Sequence, residues 1–207
     1  MCAKARPPFF SLFLCIFLVA CIPTNEPDPD PKDFTDDPLT GNSPDRPANI
    51  MLPAGFDPTV ATPIVFVLGG YFNLASELDD WINVSSLVDE LGFILVLPNG
   101  TIDPDEAPFW NATDTCCDYY DSGVDDVGYL SSLLDEAKER FTIDTNRVIY
   151  LGHSNGAFMG YRMACQAAGD LTALVSIAGS SWLDEADCEA THPISVLQVH
   201  LKKQGYL

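Results

Sequence analysis

A serine between two glycines, in Gly152-His153-Ser154-Asn155-Gly156, sets the narrowest limit on how this chain folds. An apolar run at 148–151 precedes it, and a helix-forming run with apolar spacing, 157–167, follows it. A strand, a tight turn and a helix are the context that a nucleophile elbow requires. The serine then sits on a strained turn, where larger residues than glycine on either side collide with neighbouring elements. The pattern predicts Ser154 as a nucleophile; the alternative is a glycine-rich turn of another α/β fold.

Short apolar runs and amphipathic stretches alternate along the rest of the chain. The runs predicted as strands are 50–52, 62–68, 93–97, 148–151, 173–177 and 195–200, and the predicted helices are 78–91, 125–141 and 157–167. This alternation predicts an α/β fold with a mostly parallel sheet. Ligands bind beyond the carboxyl ends of such strands, so we expect Gly69 to Tyr71, the loop after Asn99 and Ser154 at the binding edge.

The first residues have the composition of a targeting segment. Lys4 and Arg6 precede an apolar stretch at 9–20 that is short for a membrane span. The stretch ends in LVAC at 18–21, which resembles a bacterial lipobox, and Ile22 is not the aspartate that retains lipoproteins in the inner membrane. We therefore expect a signal peptide at 1–20 and a lipid on Cys21, which would anchor the protein in the cell envelope. Ordinary cleavage near Ala20 and an uncleaved anchor are the alternatives.

A linker is predicted at 21–49, followed by the folded domain at 50–207. Seven prolines lie between Ile22 and Asn49, interleaved with Asp, Asn, Thr and Ser. Such a composition has too little apolar surface for a core of its own, and proline keeps it extended. We expect this segment to hold the domain away from a lipid anchor.

The charge of the chain limits its partners. The formal net charge is −20, and the sequence has no long basic stretch. Nucleic acid is therefore excluded as an expected partner, and an anionic polymer is repelled at long range. A neutral substrate or polymer surface fits this balance, and a membrane is expected only through the N-terminal lipid.

Four cysteines remain once the signal and Cys21 are set aside: Cys116, Cys117, Cys165 and Cys188. An even number in an exported protein predicts disulfides, with three connectivities open. A bond between the neighbours Cys116 and Cys117 requires a strained ring, so we expect each to pair with Cys165 or Cys188. A metal site is not expected, because the chain has no C-x-x-C pair and no suitably spaced histidines.

Several motifs in order resemble one family. They are VFVLGGY at 65–71, GFILVLPNG at 92–100, WN at 110–111, CC at 116–117, VDDVGYL at 124–130, RVIYLGHSNG at 147–156 and IAG at 177–179. This set, over about residues 46–200, resembles the polyhydroxybutyrate depolymerase and feruloyl esterase group of α/β-hydrolases. The resemblance implies helices on both faces of the sheet and a secreted serine esterase. Its substrates are polyesters or aromatic acids esterified to plant cell-wall sugars, and no cofactor is implied.

The resemblance also assigns roles to individual residues. Ser154 is the nucleophile, and the backbone N–H groups of Asn155 and Tyr71 are the two oxyanion donors. The family has His-Gly where this chain has Gly69-Gly70, a change that keeps the backbone donor in a looser loop.

The C-terminal region departs from the family pattern. The family has an aspartate soon after the last strand and a catalytic histidine further on, whereas LKKQGYL follows His200 here. We therefore expect a truncated domain that lacks the C-terminal strand and helix, with the triad acid and base absent. His153, His192 and His200 are poor candidates for the base. Two hypotheses follow: a serine esterase inactive in this form, or a lipid-anchored protein that binds carbohydrate or ester without chemistry.

Three aromatic residues in the long loop at 101–124 have two interpretations. Trp110, Tyr119 and Tyr120 are candidates for stacking on a feruloyl ring. The interpretation that we favour is that they pack inside a disulfide-held loop.

Overall fold

The computed structural model describes residues 34–200. The expected signal peptide, the acylated Cys21 and the first part of the linker lie outside the described residues. Within the described range, no helix has the length and apolar character needed to cross a membrane.

A six-stranded sheet forms the centre of the domain. Its strands are β1 (Asn49–Met51), β2 (Thr62–Leu68), β3 (Ile94–Leu97), β6 (Ile143–His153), β7 (Ala173–Ile177) and β8 (Ser195–Val199). They lie in the order β1-β3-β2-β6-β7-β8, and only β1 is antiparallel to its neighbour. The prediction of a mostly parallel α/β sheet is confirmed. Parallel order brings the carboxyl ends of β2, β6 and β7 to one edge, where the elbow lies.

The helices are α1 (Ala75–Ile82), α2 (Val88–Leu91), α3 (Asp126–Arg140) and α4 (Asn155–Gln166), with short 3-10 turns at Ser85–Leu87, Ala168–Asp170 and Glu185–Asp187. The Asp125 carboxylate accepts the Gly128 N–H and caps α3 as its sequence predicts. The expected single helix over 78–91 is wrong. Asn83 adopts a left-handed conformation, with φ of 58°, and ends α1.

Apolar side chains on the two faces of the sheet form separate cores. Alternate residues of β2 point to opposite sides, so that Phe66 packs with α3 and α4 while Val67 packs with α1. Phe66 also stacks on Tyr150 of β6, with ring centroids 4.8 Å apart. Helices therefore cover both faces, as expected.

The predicted linker extends too far. Leu39 is fully buried in the core on the side of the sheet that α3 covers, and its backbone pairs with that of Ala48. Arg46 reaches the buried carboxylate of Asp126 at 2.8 Å. The described part of the segment, 34–48, is thus part of the domain, because a few apolar and charged side chains find partners that proline content alone does not reveal.

The long loop at 101–124 contains a small hairpin. Strands β4 (Thr101–Ile102) and β5 (Pro108–Phe109) pair antiparallel. The hairpin places Trp110, which is 1% exposed, between the elbow and the loop after β2. The sequence predicted an irregular loop here.

Candidate active site

Ser154 occupies a strained turn between β6 and α4. Its φ is 50° and its ψ is −123°, a conformation that non-glycine residues rarely adopt. Its backbone N–H donates to the carbonyl of Ile177 at 2.8 Å, which ties the turn to the end of β7. A Cβ at Gly156 would overlap the carbonyl oxygen of Leu68, and one at Gly152 would overlap that of Gly156. The glycines are therefore required by close backbone approach, as the motif predicts.

Two backbone N–H groups beside Ser154 remain free. The N–H groups of Asn155 and Tyr71 have no acceptor among residues 34–200. A Cβ at Gly70 would lie 3.3 Å from the Cβ of Ser154, which shows how closely the loop after β2 approaches the serine. The amino end of α4 adds its positive dipole at the same point. An N–H group without an internal acceptor next to the serine favours negative charge on an oxygen bound there.

A buried hydrogen-bond network holds these donors in place. The fully buried side chain of Asn155 accepts the N–H of Trp110 at 2.7 Å and donates to the carbonyl of Trp110 at 3.0 Å. The indole Nε1–H of Trp110 donates to the carbonyl of Gly69 at 3.1 Å. Trp110 thus connects the elbow to the loop that carries Tyr71. Sequence reasoning missed this role, and the only signal for it was a polar residue after the serine.

The side chain of Tyr71 also anchors its loop. Its hydroxyl donates to the carboxylate of Asp103 at 2.7 Å. This hydrogen bond, with desolvation and the charge of Asp103, raises the pKa of Tyr71 to about 12. The Tyr71 side chain therefore links the loop after β2 to the β4–β5 hairpin, in which Asp103 lies.

No histidine of the described chain forms a hydrogen bond with the Ser154 hydroxyl. The imidazole of His153 packs edge-on against Trp81, with ring centroids 5.4 Å apart, and burial lowers its pKa. His192 is exposed beside Thr191. The Nε2 of His200 lies 2.9 Å from the carbonyl of Gly179. In the described residues, each of the three histidines therefore has contacts other than the Ser154 hydroxyl.

The expected pairing of the four candidate cysteines is wrong. Cys165, at the end of α4, is bonded to Cys188, with their Cα atoms 5.1 Å apart, and Cys116 is bonded to its neighbour Cys117. The Cα separation of the first pair lies in the range that a disulfide spans. Because Cys165 and Cys188 are bonded to each other, Cys116 and Cys117 are the two cysteines left to pair. Among residues 34–200, no group of three metal-ligating side chains is assembled.

The three aromatic residues of the long loop differ in burial, which bears on whether they pack inside the loop or can stack on a ligand. Trp110 is buried, so the packed interpretation is confirmed for it. Tyr119 and Tyr120 are 70% and 45% exposed, and the ring of Tyr119 packs edge-on against Tyr71. The exposed ring of Tyr119 therefore lies next to the loop that carries Tyr71, whereas the hydroxyl of Tyr120 donates to Asp105.

Sequence comparisons relate the chain to esterases. It is 27% identical over 138 residues to "Putative esterase NocK" of Nocardia uniformis subsp. tsuyamanensis, a match that covers 67% of this chain and 39% of that protein. It is 23% identical over 155 residues to "Bifunctional acetylxylan esterase/xylanase XynS20E" of Neocallimastix patriciarum, covering 75% of this chain and 21% of that protein. The chain thus spans less than half the length of these curated relatives. No protein-family model matches it.

Solved structures share the fold. The acetyl xylan esterase from Aspergillus awamori superposes with a TM-score of 0.54 at 17% identity, over 72% of this chain and 52% of that one. A ferulic acid esterase superposes with a TM-score of 0.54 at 18% identity, over 71% of this chain and 58% of that one. The sheet order, the serine elbow and these likenesses lead to one conclusion: the chain has the α/β-hydrolase fold and is related in sequence to esterases.

Proposed function

We propose that this chain carries the nucleophile of a serine esterase that hydrolyses carboxylic esters of polymers. The substrate is a hydroxyalkanoate polyester or a feruloylated cell-wall polysaccharide. One observation carries the proposal: Ser154 sits on a strained elbow with the free N–H groups of Asn155 and Tyr71 beside it. The related acetylxylan and ferulic acid esterases support ester chemistry on plant polymers.

The chemistry follows from this arrangement. The Ser154 oxygen attacks the ester carbonyl carbon, the carbonyl π pair moves to its oxygen, and the serine proton passes to a general base. The resulting oxyanion accepts hydrogen bonds from the N–H groups of Asn155 and Tyr71. Collapse of the intermediate expels the alcohol, which takes the proton, and water then hydrolyses the acyl-serine. The family resemblance puts the base and its carboxylate partner after the last strand.

We also propose that the protein is exported and held at the cell envelope by a lipid on Cys21. The lipobox-like LVAC sequence and the proline-rich segment after it support this. Metabolic labelling with a radioactive fatty acid tests the anchor. Label on the expressed full-length protein that disappears in Cys21→Ser is the expected result, and equal label in both proteins would refute it.

A second function is a non-catalytic, lipid-anchored protein that binds carbohydrate or ester. The observation that favours it is that none of the described histidines contacts the Ser154 hydroxyl. A serine without a neighbouring base is a weak nucleophile, so such a chain keeps the cleft but not the reaction.

Hydrolysis of p-nitrophenyl acetate by the full chain separates the two functions. We expect weak turnover that is lost in Ser154→Ala, because the serine attacks the ester but none of the described histidines activates it. Ser181→Ala is the matched control, and it should retain the wild-type rate. Folded protein with no turnover above that of Ser154→Ala would overturn the catalytic proposal in favour of the binding protein. Thermal melts of all three proteins establish that each is folded.

A further inference from the structure

A polar cleft of about 510 Å³ opens between the loop at 111–121 and the last two turns of α4. Arg162 and Gln166 line it from the helix, and Tyr119 and Trp182 contribute aromatic rings. The lining does not include Ser154, Asn155 or Tyr71, but the ring of Tyr119 packs against the ring of Tyr71. Nothing in the ester chemistry above uses the side chains of the cleft.

Both walls of the cleft connect to the elbow. On one wall, the ring of Tyr119 packs against Tyr71, with centroids 5.4 Å apart, and Tyr71 carries a free oxyanion donor. On the other wall, Trp182 lies in the segment that follows β7, and the end of β7 accepts the N–H of Ser154. The N–H of Leu183 donates to the Asp114 carboxylate at 3.3 Å and joins the two walls. The cleft is therefore connected to the elbow through Tyr71 on one wall and through the end of β7 on the other.

The cleft offers hydrogen-bond donors and acceptors together. Arg162 uses Nη1 to hold the carbonyls of Asn111 and Ala112 and uses Nε to donate to Gln166 at 2.9 Å. Its Nη2 has no acceptor within residues 34–200 and is free to donate to a ligand. The carboxylates of Asp114, Asp118 and Asp121 lie around the same space. One guanidinium against these three carboxylates gives the cleft an excess of negative charge.

We propose, on the basis of the serine esterase function, that this cleft is a subsite for a neutral sugar residue of the polysaccharide that carries the ester. A sugar ring has apolar C–H faces that pack on aromatic rings such as those of Tyr119 and Trp182. Its hydroxyls donate to carboxylates and accept from the free Nη2 of Arg162. These are the two kinds of contact that the cleft provides.

The same chemistry argues against the other polymer class. A hydroxyalkanoate polyester has acceptor oxygens and no donors along its chain, so the carboxylate of Asp121 would lose water without gaining a hydrogen-bond donor. A sugar acid would bring a further negative charge beside the carboxylates of the cleft, which is unfavourable at short range. A neutral sugar meets neither obstacle.

Isothermal titration calorimetry on the full chain carrying Ser154→Ala tests the subsite without interference from hydrolysis. The probes are xylohexaose and cellohexaose as neutral sugars, trigalacturonate as an acidic sugar and a 3-hydroxybutyrate trimer methyl ester as a polyester. We expect at least one neutral hexasaccharide to bind and the other two probes to bind at least about tenfold more weakly. Tyr119→Ala and Gln166→Ala should each weaken the binding of the neutral sugar. For Tyr119→Ala we expect the Kd to rise about tenfold.

Tyr120→Ala is the matched control, because Tyr120 is the next residue in the chain, is also exposed and does not line the cleft. It should retain the parental Kd. Absence of neutral-sugar binding, tighter binding of the polyester trimer, or equal weakening in Tyr120→Ala and Tyr119→Ala would each overturn the subsite. Ester turnover without sugar binding would refute the sugar subsite but not the esterase function. Sugar binding by a chain without Ser154-dependent turnover would refute the esterase function but not the sugar subsite.

Discussion

The two ends of the described chain contrast in how they join the domain. Residues 34–48 have almost no regular structure, yet Leu39 is fully buried and Arg46 is paired inside the protein. Strand β8 pairs with β7 in register along its whole length, yet Leu197 remains 60% exposed. A segment without secondary structure is thus part of the core, while a regular strand lies at the edge of the sheet.

This contrast shows that backbone pairing and side-chain burial are independent. β8 pairs one side of its backbone with β7, but its side chains stay exposed: Leu174 of β7 is buried, whereas Val196, its partner in the register, is 48% exposed. Residues 34–48 gain their place through side chains that reach α3. The free energy of unfolding should therefore depend strongly on the irregular end and weakly on the strand.

Removing the charge of Arg46 should cause the largest loss in the free energy of unfolding. Its Nη2 lies 2.8 Å from the fully buried Asp126 carboxylate and also donates to the carbonyl of Asn99. Arg46→Ala leaves that carboxylate buried without its partner, and we expect a loss of about 3–5 kcal/mol in the free energy of unfolding. Urea denaturation measures it. Arg147→Ala, which removes an exposed ion pair with Asp144, should have little effect, and similar losses in the two variants would contradict the contrast.

The second comparison truncates one leucine at each end. Leu39→Ala deletes a fully buried side chain and should cost about 3 kcal/mol, from transfer and cavity terms together. Leu197→Ala removes a side chain that is 60% exposed and should cost less than about 1 kcal/mol. Urea midpoints and slopes of both variants give the two values. A larger loss for Leu197→Ala would mean that β8 is more buried in solution than the structure places it.

The smallest effect on stability is expected from the Glu136 carboxylate, and it should depend on pH. Burial favours a raised pKa for Glu136, but N–H groups of Gly41 and Thr40 and the side chain of Arg140 outweigh it and lower the pKa. A lowered pKa in the folded state means that the ionised carboxylate adds stability above the unfolded value of about 4.3. That stability is lost as pH falls through the folded value.

Glu136→Gln should therefore have a lower Tm than wild type at pH 7, and the difference should shrink as the pH falls from about 4.3 towards 3. Thermal melts over this range give the difference directly. Glu139→Gln, on an exposed position of the same helix, is the control and should give a small difference at every pH. A Glu136→Gln difference that is constant with pH would rule out this role of the carboxylate.

The local patterns of the sequence predicted most of the elements. The apolar runs of β2 and β7 have the bounds that were expected, and α3 starts at the predicted cap. The predicted helix over 78–91 failed because the left-handed turn at Asn83 leaves the apolar spacing unchanged. Periodicity reports which face of an element is buried, but not where a single residue interrupts it.

The sequence by itself determined the elbow, because a serine between glycines after a strand and before a helix allows one local geometry. It also determined the alternation of strands and helices. Only the tertiary structure decided the disulfide pairing, the burial of Leu39 and the role of Trp110. Apart from the bond between the neighbours Cys116 and Cys117, those features join residues that are separated in the chain, and their meeting depends on how the elements pack.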